Sequence, residues 1–429
     1  MKIKYILLGV LLCVQLDAKV ETLKIDDIVE MSLKHSPDIE IQRLDFKGAK
    51  ERTKFAKGGY LPRVDMSLAT GQQYSKLKNQ SSTNMDVLRG GLGASVLLYD
   101  FGKTAGKVQS SRQESLALEA QMQQSISDKI FLLKQIYYDI LKTKSIINVQ
   151  KKNVKLQKQQ LYRAEKYLAS GIKTIIDVSD SKVRVEQAKL ELKNAKYSLE
   201  LKRATLEEEI GFVPYKGKYV LYSQTLPDTG LSVSLPAMKT SLSKLEQYAY
   251  KHRYLLSASR HYVHRAKSKV KGARGEYYPT LSLSGNYEAQ EVDNTLLALT
   301  PEHQGEITIN MSWNIFSGYQ SDATMEEAKL GVLKASSQVQ DIRLAVKREV
   351  LESHILLRQS KDNVFLSESI SHVSYQKFEQ AEKRYANELS DYIELQDAQQ
   401  GYISSLSDLV NAYYDYFIAM AKLDHAIGK

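Results

Sequence analysis

The sequence predicts a mainly α-helical chain that also builds membrane β-structure: a tandem duplication with long coiled-coil helices and four strands. Three observations predict it. A shift of 217 residues lays the first half of the chain on the second, apolar residues recur at every seventh position through proline-free stretches, and each half holds two segments of alternating apolar and polar residues.

Lys2 and Lys4 precede the apolar stretch Tyr5 to Leu16, and Asp17-Ala18 then supplies a small residue, the pattern of a secretory signal peptide over 1–18. The stretch is too short for a spanning helix, which needs roughly 20 apolar residues, and no later run approaches that length. The only cysteine, Cys13, falls inside it, so the mature chain is expected to hold no disulfide and no thiolate. Lipidation of Cys13 is disfavoured by Leu12, because such sites prefer a small residue just before the cysteine.

The duplication runs without a gap. Lys34-His35 falls on Lys251-His252, Tyr60 and Pro62 on Tyr277 and Pro279, Leu98-Tyr99 on Ile315-Phe316, Ala164-Glu165-Lys166 on Ala381-Glu382-Lys383, and Ile210-Gly211 on Ile427-Gly428. The first repeat therefore occupies 19–211 and the second 245–428. Between them, 212–244 carries three of the seven prolines (Pro214, Pro227, Pro236) and reads as a connector.

Each repeat opens with helical pattern, 26–59 in the first, with Pro37 starting a stretch that leads to the Tyr-Leu-Pro turn at 60–62. Strands are expected at about 63–71 and 88–99, where Val64, Met66 and Leu68 alternate with Asp65, Ser67 and Ala69, and Leu92, Ala94, Val96 and Leu98 alternate with Gly91, Gly93, Ser95 and Leu97. The second repeat is cleaner. Strands at about 280–288 and 306–316 place Ile307, Ile309, Met311, Trp313 and Ile315 on one face, with Thr308, Asn310, Ser312 and Asn314 on the other.

After each second strand prolines vanish. Long helices are expected at 104–169 and 321–387, the first about 100 Å long at 1.5 Å per residue. Ile126, Leu133, Ile140, Ile147, Val154, Leu161 and Leu168 form a seam of strict sevens. After a break near Gly171 the pattern resumes in a helix at 174–209 with Val178, Val185, Leu192, Leu199 and Leu206; its image at 391–426 carries Leu395, Tyr402, Leu409, Tyr416 and Leu423. These stripes explain packing, not chemistry.

Strands apolar on one face and polar on the other suit a lipid-facing barrel. Four cannot close one, and open edges in lipid leave backbone groups unpaired at several kcal/mol each, so several chains must contribute: two would give eight strands, three twelve with room for a lumen. The charged helices must then project from the membrane as a soluble tube.

The Ser36-Pro37-Asp38-Ile39 start of the second helix, Leu61-Pro62 before a strand, Leu98-Tyr99-Asp100-Phe101-Gly102 after one, Gly171 to Asp180 at a helical tip, and the duplication itself resemble the TolC-type outer-membrane efflux protein family over nearly the whole mature length. The resemblance implies a homotrimer with a twelve-stranded transmembrane β-barrel in outer-membrane lipid and a periplasmic helical α-barrel. It further implies docking onto a periplasmic adaptor (membrane fusion) protein and an inner-membrane pump of the RND, ABC or MFS type, in an efflux or type I secretion system. Gly171, Lys173 and Glu388 are then candidates for the adaptor-contacting tip. Gly171 is expected to end its helix with positive φ, and Glu388, its image, to need another turn geometry. Asp177 with Asp180, and Glu394 with Asp397 in the second repeat, match the acidic pair that lines the closed entrance of some members. Asp177 and Glu394 also sit where a helix N-cap places an acid, which accounts for them without a pore.

Other chemistries find little support. His261 and His264 share a helix face, but no third ligand stands near them to complete a zinc set. Ser179-Asp180-Ser181-Lys182 and Ser241-Leu242-Ser243-Lys244 match Ser-x-x-Lys without the partner motifs of an acyl-transfer enzyme, and no P-loop occurs. No catalytic residue and no cofactor is expected. The net charge of +10 suggests an anionic partner, but Lys151, Lys152, Lys155 and Lys158 lie on a helical face without interleaved aromatics, which argues against nucleic acid. The competing class is a secreted coiled-coil scaffold or adhesin without a pore, which the alternating strands argue against.

Overall fold

The computed structural model describes residues 21–76, 83–172, 174–213, 219–222, 235–236, 241–292 and 302–429. The expected signal peptide, Cys13 and Lys173 lie outside them. The elements in chain order are β1 (Glu21–Leu23), α1 (Ile25–His35), α2 (Pro37–Gly58), β2 (Arg63–Ser75), β3 (Thr83–Tyr99), α3 (Lys103–Ala169), α4 (Ile175–Ile210), β4 (Tyr219–Leu221), α5 (Leu242–His252), α6 (Tyr254–Gly275), β5 (Thr280–Val292), β6 (His303–Ser312), α7 (Gln320–Ala386) and α8 (Tyr392–Ile427). No described helix is long and apolar enough to cross a membrane.

Two compact units emerge, Met1–Pro37 with Lys129–Lys239 and Ser353–Leu423, and Asp38–Asp128 with Thr240–Glu352 and Asp424–Lys429. The second holds a four-stranded, all-antiparallel sheet of order β2-β3-β5-β6. Three of its strands extend beyond the alternating segments, β2 to Ser75, β3 from Thr83 and β5 to Val292. The fourth begins ahead of its segment, at His303, but stops short at the other end. β6 ends at Ser312, opposite Thr280, so Trp313 and Ile315 lie beyond the ladder and are not strand residues. The cause is Pro279, which has no N–H to continue the pairing. In the same unit, α3 and α6 approach closely at Gly106 and Gly272, where a Cβ on Gly106 would lie 2.5 Å from the Gly272 nitrogen.

The first unit is built on the coiled-coil stripes. Leu133, Ile140, Ile147, Val178, Val185, Leu206, Leu395, Tyr402, Leu409 and Tyr416 are all buried. Around Leu133, Tyr137 and Ile140 a cluster gathers Val410, Tyr413 and Tyr414 from α8, together with Leu23 and Leu221. Those last two belong to β1 and β4, which pair in parallel. The stretch read as a plain connector thus contains a strand, which the Tyr137 hydroxyl supports by donating to the Tyr222 carbonyl.

The duplication reappears in the backbone. Phe101-Gly102 and their images Gly318-Tyr319 both adopt two consecutive positive φ values before a long helix. Gly211 (φ 92°) and Gly428 (φ 79°) end α4 and α8; a Cβ on Gly211 would collide with the His35 backbone, and one on Gly428 would press tightly on the backbone of His252, the image of His35.

Candidate functional site

Strand register decides which residues share a sheet face. Val64, Met66 and Leu68 pair with Ala94, Leu92 and Gly90; Leu92, Ala94 and Val96 pair with Tyr287, Gly285 and Leu283; Leu283 and Leu281 pair with Ile309 and Met311. Paired residues project to the same side, so one face is apolar from β2 to β6. Asp65, Ser67, Arg89, Ser284, Asn286, Glu288, Glu306, Thr308 and Asn310 occupy the other. Hydrogen bonds on that polar face confirm its orientation: Ser284 Oγ and Thr308 Oγ1 lie 2.9 Å apart, and Asn310 Nδ2 donates to Ser284 Oγ at 2.7 Å. Ile307, Ile309 and Met311 are exposed on the apolar side. The outer edges of β2 and β6 carry no strand partner among the described residues.

At the opposite ends of the long helices the two turns share one geometry. After α3 the Ile172 N–H reaches the Tyr167 carbonyl and the Gly171 N–H reaches Leu168; after α7 the Leu389 N–H reaches Arg384 and the Glu388 N–H reaches Tyr385. Both are Schellman closures, with φ of 74° at Gly171 and 60° at Glu388. The expected separate geometry for Glu388 is therefore wrong. The helix-closing bonds dictate the conformation, and the glutamate tolerates left-handed backbone to keep them.

The four acids divide by their partners. Asp177 closes a capping box, its Oδ2 accepting from the Thr174 N–H at 2.8 Å and from the Thr174 hydroxyl at 2.9 Å. Glu394 pairs with Arg384, Nε to Oε1 at 3.2 Å, while Asp391 accepts the Glu394 N–H. Asp180 and Asp397, one turn deeper, are exposed. Asp177 and Asp180 stand close enough to Tyr392 to help burial raise the pKa of its hydroxyl, against a hydrogen bond to Ser181 and the charge of Arg184, which lower it.

Sequence reasoning missed the aromatic joint between these ends. The Tyr392 hydroxyl and Ser181 Oγ lie 3.0 Å apart, and Tyr385 sits between Tyr167 and Tyr392, with ring centroids 6.2 Å from each. Burial, then the neighbouring Tyr167, Tyr392 and Asp177, push the Tyr385 hydroxyl up to about 12. Arg163 and Glu382 add a 2.8 Å ion pair between α3 and α7. The available signal was tyrosine at seam-flanking positions beside each turn. His261 bonds Gln113 across α6 and α3 at 2.9 Å, and burial together with His264 lowers its pKa, as befits a neutral packing residue.

Comparison with known proteins agrees with this geometry. A relative described as outer membrane protein TolC from Escherichia coli (strain K12) is 25% identical over 179 residues, which span 39% of this chain and only 36% of that protein. The TolC protein of Vibrio cholerae serotype O1 is 21% identical over 94% of this chain and 90% of its own length. Among solved structures, the outer membrane protein VceC from Vibrio cholerae superposes with a TM-score of 0.78 at 19% identity, over 94% of this chain and 96% of that one. The CmeC outer membrane channel of Campylobacter jejuni gives 0.82 at 16% identity, over 94% and 85%. These structures establish the shared fold. The family model for outer membrane efflux protein matches residues 28–211 and 245–429, both repeats in turn, and the chain belongs to that family.

Proposed function

We propose that this chain is the subunit of a passive exit duct in the outer membrane. Three copies close a twelve-stranded barrel, and the helices form a periplasmic tunnel that meets an adaptor and an inner-membrane pump of the RND, ABC or MFS type. One observation carries the reading: the sheet has an apolar face from edge to edge and, among the described residues, two edges without strand partners. In lipid such a sheet must join copies of itself, because each unpaired backbone group costs several kcal/mol there. Its polar face, with Asp65, Arg89, Glu288 and Glu306, would then line a water-filled lumen.

At the other end Asp180 and Asp397 are the acids to which the entrance role falls, since Asp177 caps its own helix and Glu394 pairs with Arg384. Three copies would bring six such carboxylates to one constriction, and a ring of like charge favours cations. The turns at Gly171 and Glu388, with Lys173 beside the first, are the adaptor-contacting tips in this reading. Fractionation tests the membrane assignment: a barrel stays with the membrane in high salt until detergent is added, whereas a coiled-coil scaffold leaves it. Topology is tested by single cysteines. One at Lys173 should crosslink to an adaptor in cells and one at Ser75 should react with an external impermeant reagent; exchanged outcomes would invert the orientation.

A further inference from the structure

A cavity of about 810 Å³ opens between α3, α6 and α7, wholly within the unit that carries the sheet. Its shape follows from small side chains. α3 and α6 meet through Gly106 and Gly272, whereas a Cβ added to Gly331 on α7 would meet nothing within 4 Å. Ala266, Ala273, Ala328 and Ala335 line the trough left between the close pair and the third helix, and none is long enough to fill it. The volume falls in the range of small-molecule sites, roughly 300 to 1,000 Å³.

The charges around the cavity do not cancel. Lys103 pairs with Glu276 at 3.8 Å, and Arg265 meets Glu114 at 3.3 Å while its buried Nε has no hydrogen-bond partner among the described residues. That leaves Lys107 on α3, Lys269 on α6 and Lys334 on α7, one from each helix, facing the single remaining carboxylate, Glu327. No ion pair among the described residues joins any of the three lysines to an acid, and all three are exposed. A solvated lysine face belongs to one helix; here three helices bring cations to one concavity. Helix packing does not demand this composition. Positions related by the repeat carry Thr324 for Lys107 and Phe55 for Gly272, and only the cation at Lys269 recurs, as Arg52.

We propose that this cavity binds an amphipathic organic anion, its acid group among Lys107, Lys269 and Lys334 and its compact apolar body on the glycine and alanine lining. Lysine suits the task, since its ammonium is a point charge on a flexible stem that can follow acid groups of different shape. Attraction at such an exposed rim is screened by salt, so binding weakens as ionic strength rises.

The full chain in lipid nanodiscs, titrated calorimetrically against empty nanodiscs, tests the site with three probes: naphthalenesulfonate, naphthylmethylammonium and inorganic sulfate. Naphthalenesulfonate should saturate one site per chain, sulfate should bind at least about tenfold more weakly, and the cationic analogue should give no saturable heat. Lys107→Gln, Lys269→Gln and Lys334→Gln together should weaken naphthalenesulfonate by about tenfold or more. Glu327→Gln should tighten it. Gly331→Leu, which fills open space and keeps every charge, should weaken naphthalenesulfonate but leave sulfate unchanged, and Lys151→Gln, in the other unit, should change neither. Absence of saturable binding, binding that survives the triple substitution, or equal binding of the cationic analogue would overturn the site. Sulfate binding as tight as naphthalenesulfonate, or indifference to Gly331→Leu, would overturn its apolar half. The cavity is complete in one chain, so each of these outcomes leaves the duct standing.

Discussion

The break between α1 and α2 and the break between α5 and α6 are the same bend made in two ways. Ser36 (φ −67°, ψ 123°) and Arg253 (φ −67°, ψ 117°) are superimposable in backbone and related by the repeat. At Ser36 the local sequence is sufficient, because Pro37 excludes helix from the residue before it. At Arg253 no proline follows, and the bend is held from a distance. The guanidinium, 5% exposed, donates to the His425 carbonyl and to Glu349 Oε2, both at 2.7 Å. His425 in turn places Nε2 2.6 Å from Asp128 Oδ1 and Nδ1 3.5 Å from Glu349 Oε1. One copy keeps the rule in its sequence and the other keeps it in its packing, so mutations at the two should differ in kind.

The largest expected difference is at these residues themselves. Arg253→Ala removes one partner of a largely buried pair and should destabilise the chain by about 3 kcal/mol, whereas Ser36→Ala should change it by less than about 1 kcal/mol. Thermal unfolding in detergent measures both, and equal effects would erase the distinction. Next come the glycines that close on the two bends. Gly211→Ala combines a positive φ, worth about 1 to 2 kcal/mol, with a Cβ 2.5 Å from the His35 oxygen; Gly428→Ala carries the same φ term but meets its nearest atoms at 3.0 Å. Gly211→Ala should therefore be the worse of the two.

A pH series sharpens the comparison further. Burial pulls the His425 pKa down, but hydrogen bonds that its ring donates to Asp128 and Glu349 outweigh it and hold it above the ordinary histidine value. Asp128 is held below the ordinary carboxylate value, the bonds from His425 and Gln124 overcoming its burial. The raised histidine contributes stability that is complete below the unfolded value of about 6.5 and lost as pH rises through the folded pKa. The lowered aspartate contributes stability present above its unfolded value, about 3.9, and lost as pH falls through its folded pKa. Unfolding followed from pH 5 to 9 should show stability declining on the alkaline side, and His425→Gln should flatten that limb. A limb that survives the substitution would assign it elsewhere. The smallest effect belongs to the turns. Glu388→Gly relieves left-handed strain at the cost of a more flexible unfolded chain and should stabilise by up to about 1 kcal/mol, while Gly171→Ala, with open space around it, should cost about 1 to 2 kcal/mol.

What the sequence revealed follows the same division between local and distant causes. The long helices Lys103–Ala169 and Gln320–Ala386 run through the proline-free stretches that the shift of 217 lays on each other. Alternation finds the four strands but not their ends. Gln72 to Ser75 and Thr83 to Asp86 pair without an apolar face, and Trp313 and Ile315 keep alternating after Pro279 has ended the ladder. Glu388 shows no sign of its positive φ, although its relation to Gly171 was the clue. Of the acids, the cap at Asp177 was readable from Thr174-Ile175-Ile176-Asp177, but the Glu394 pairing with Arg384 spans the turn from α7 to α8, and the joint of Tyr167, Tyr385, Tyr392 and Ser181 depends on contacts between hairpins that no single helix spells out.

The duct itself is tested most directly by conductance. Purified protein added to a planar lipid bilayer should insert in uniform steps of ionic current that favour cations and are blocked by trivalent cations from the side of the helical tips, and Asp180→Asn with Asp397→Asn should weaken selectivity and block while leaving the steps. Membrane-bound protein that carries no current under any voltage would contradict the account.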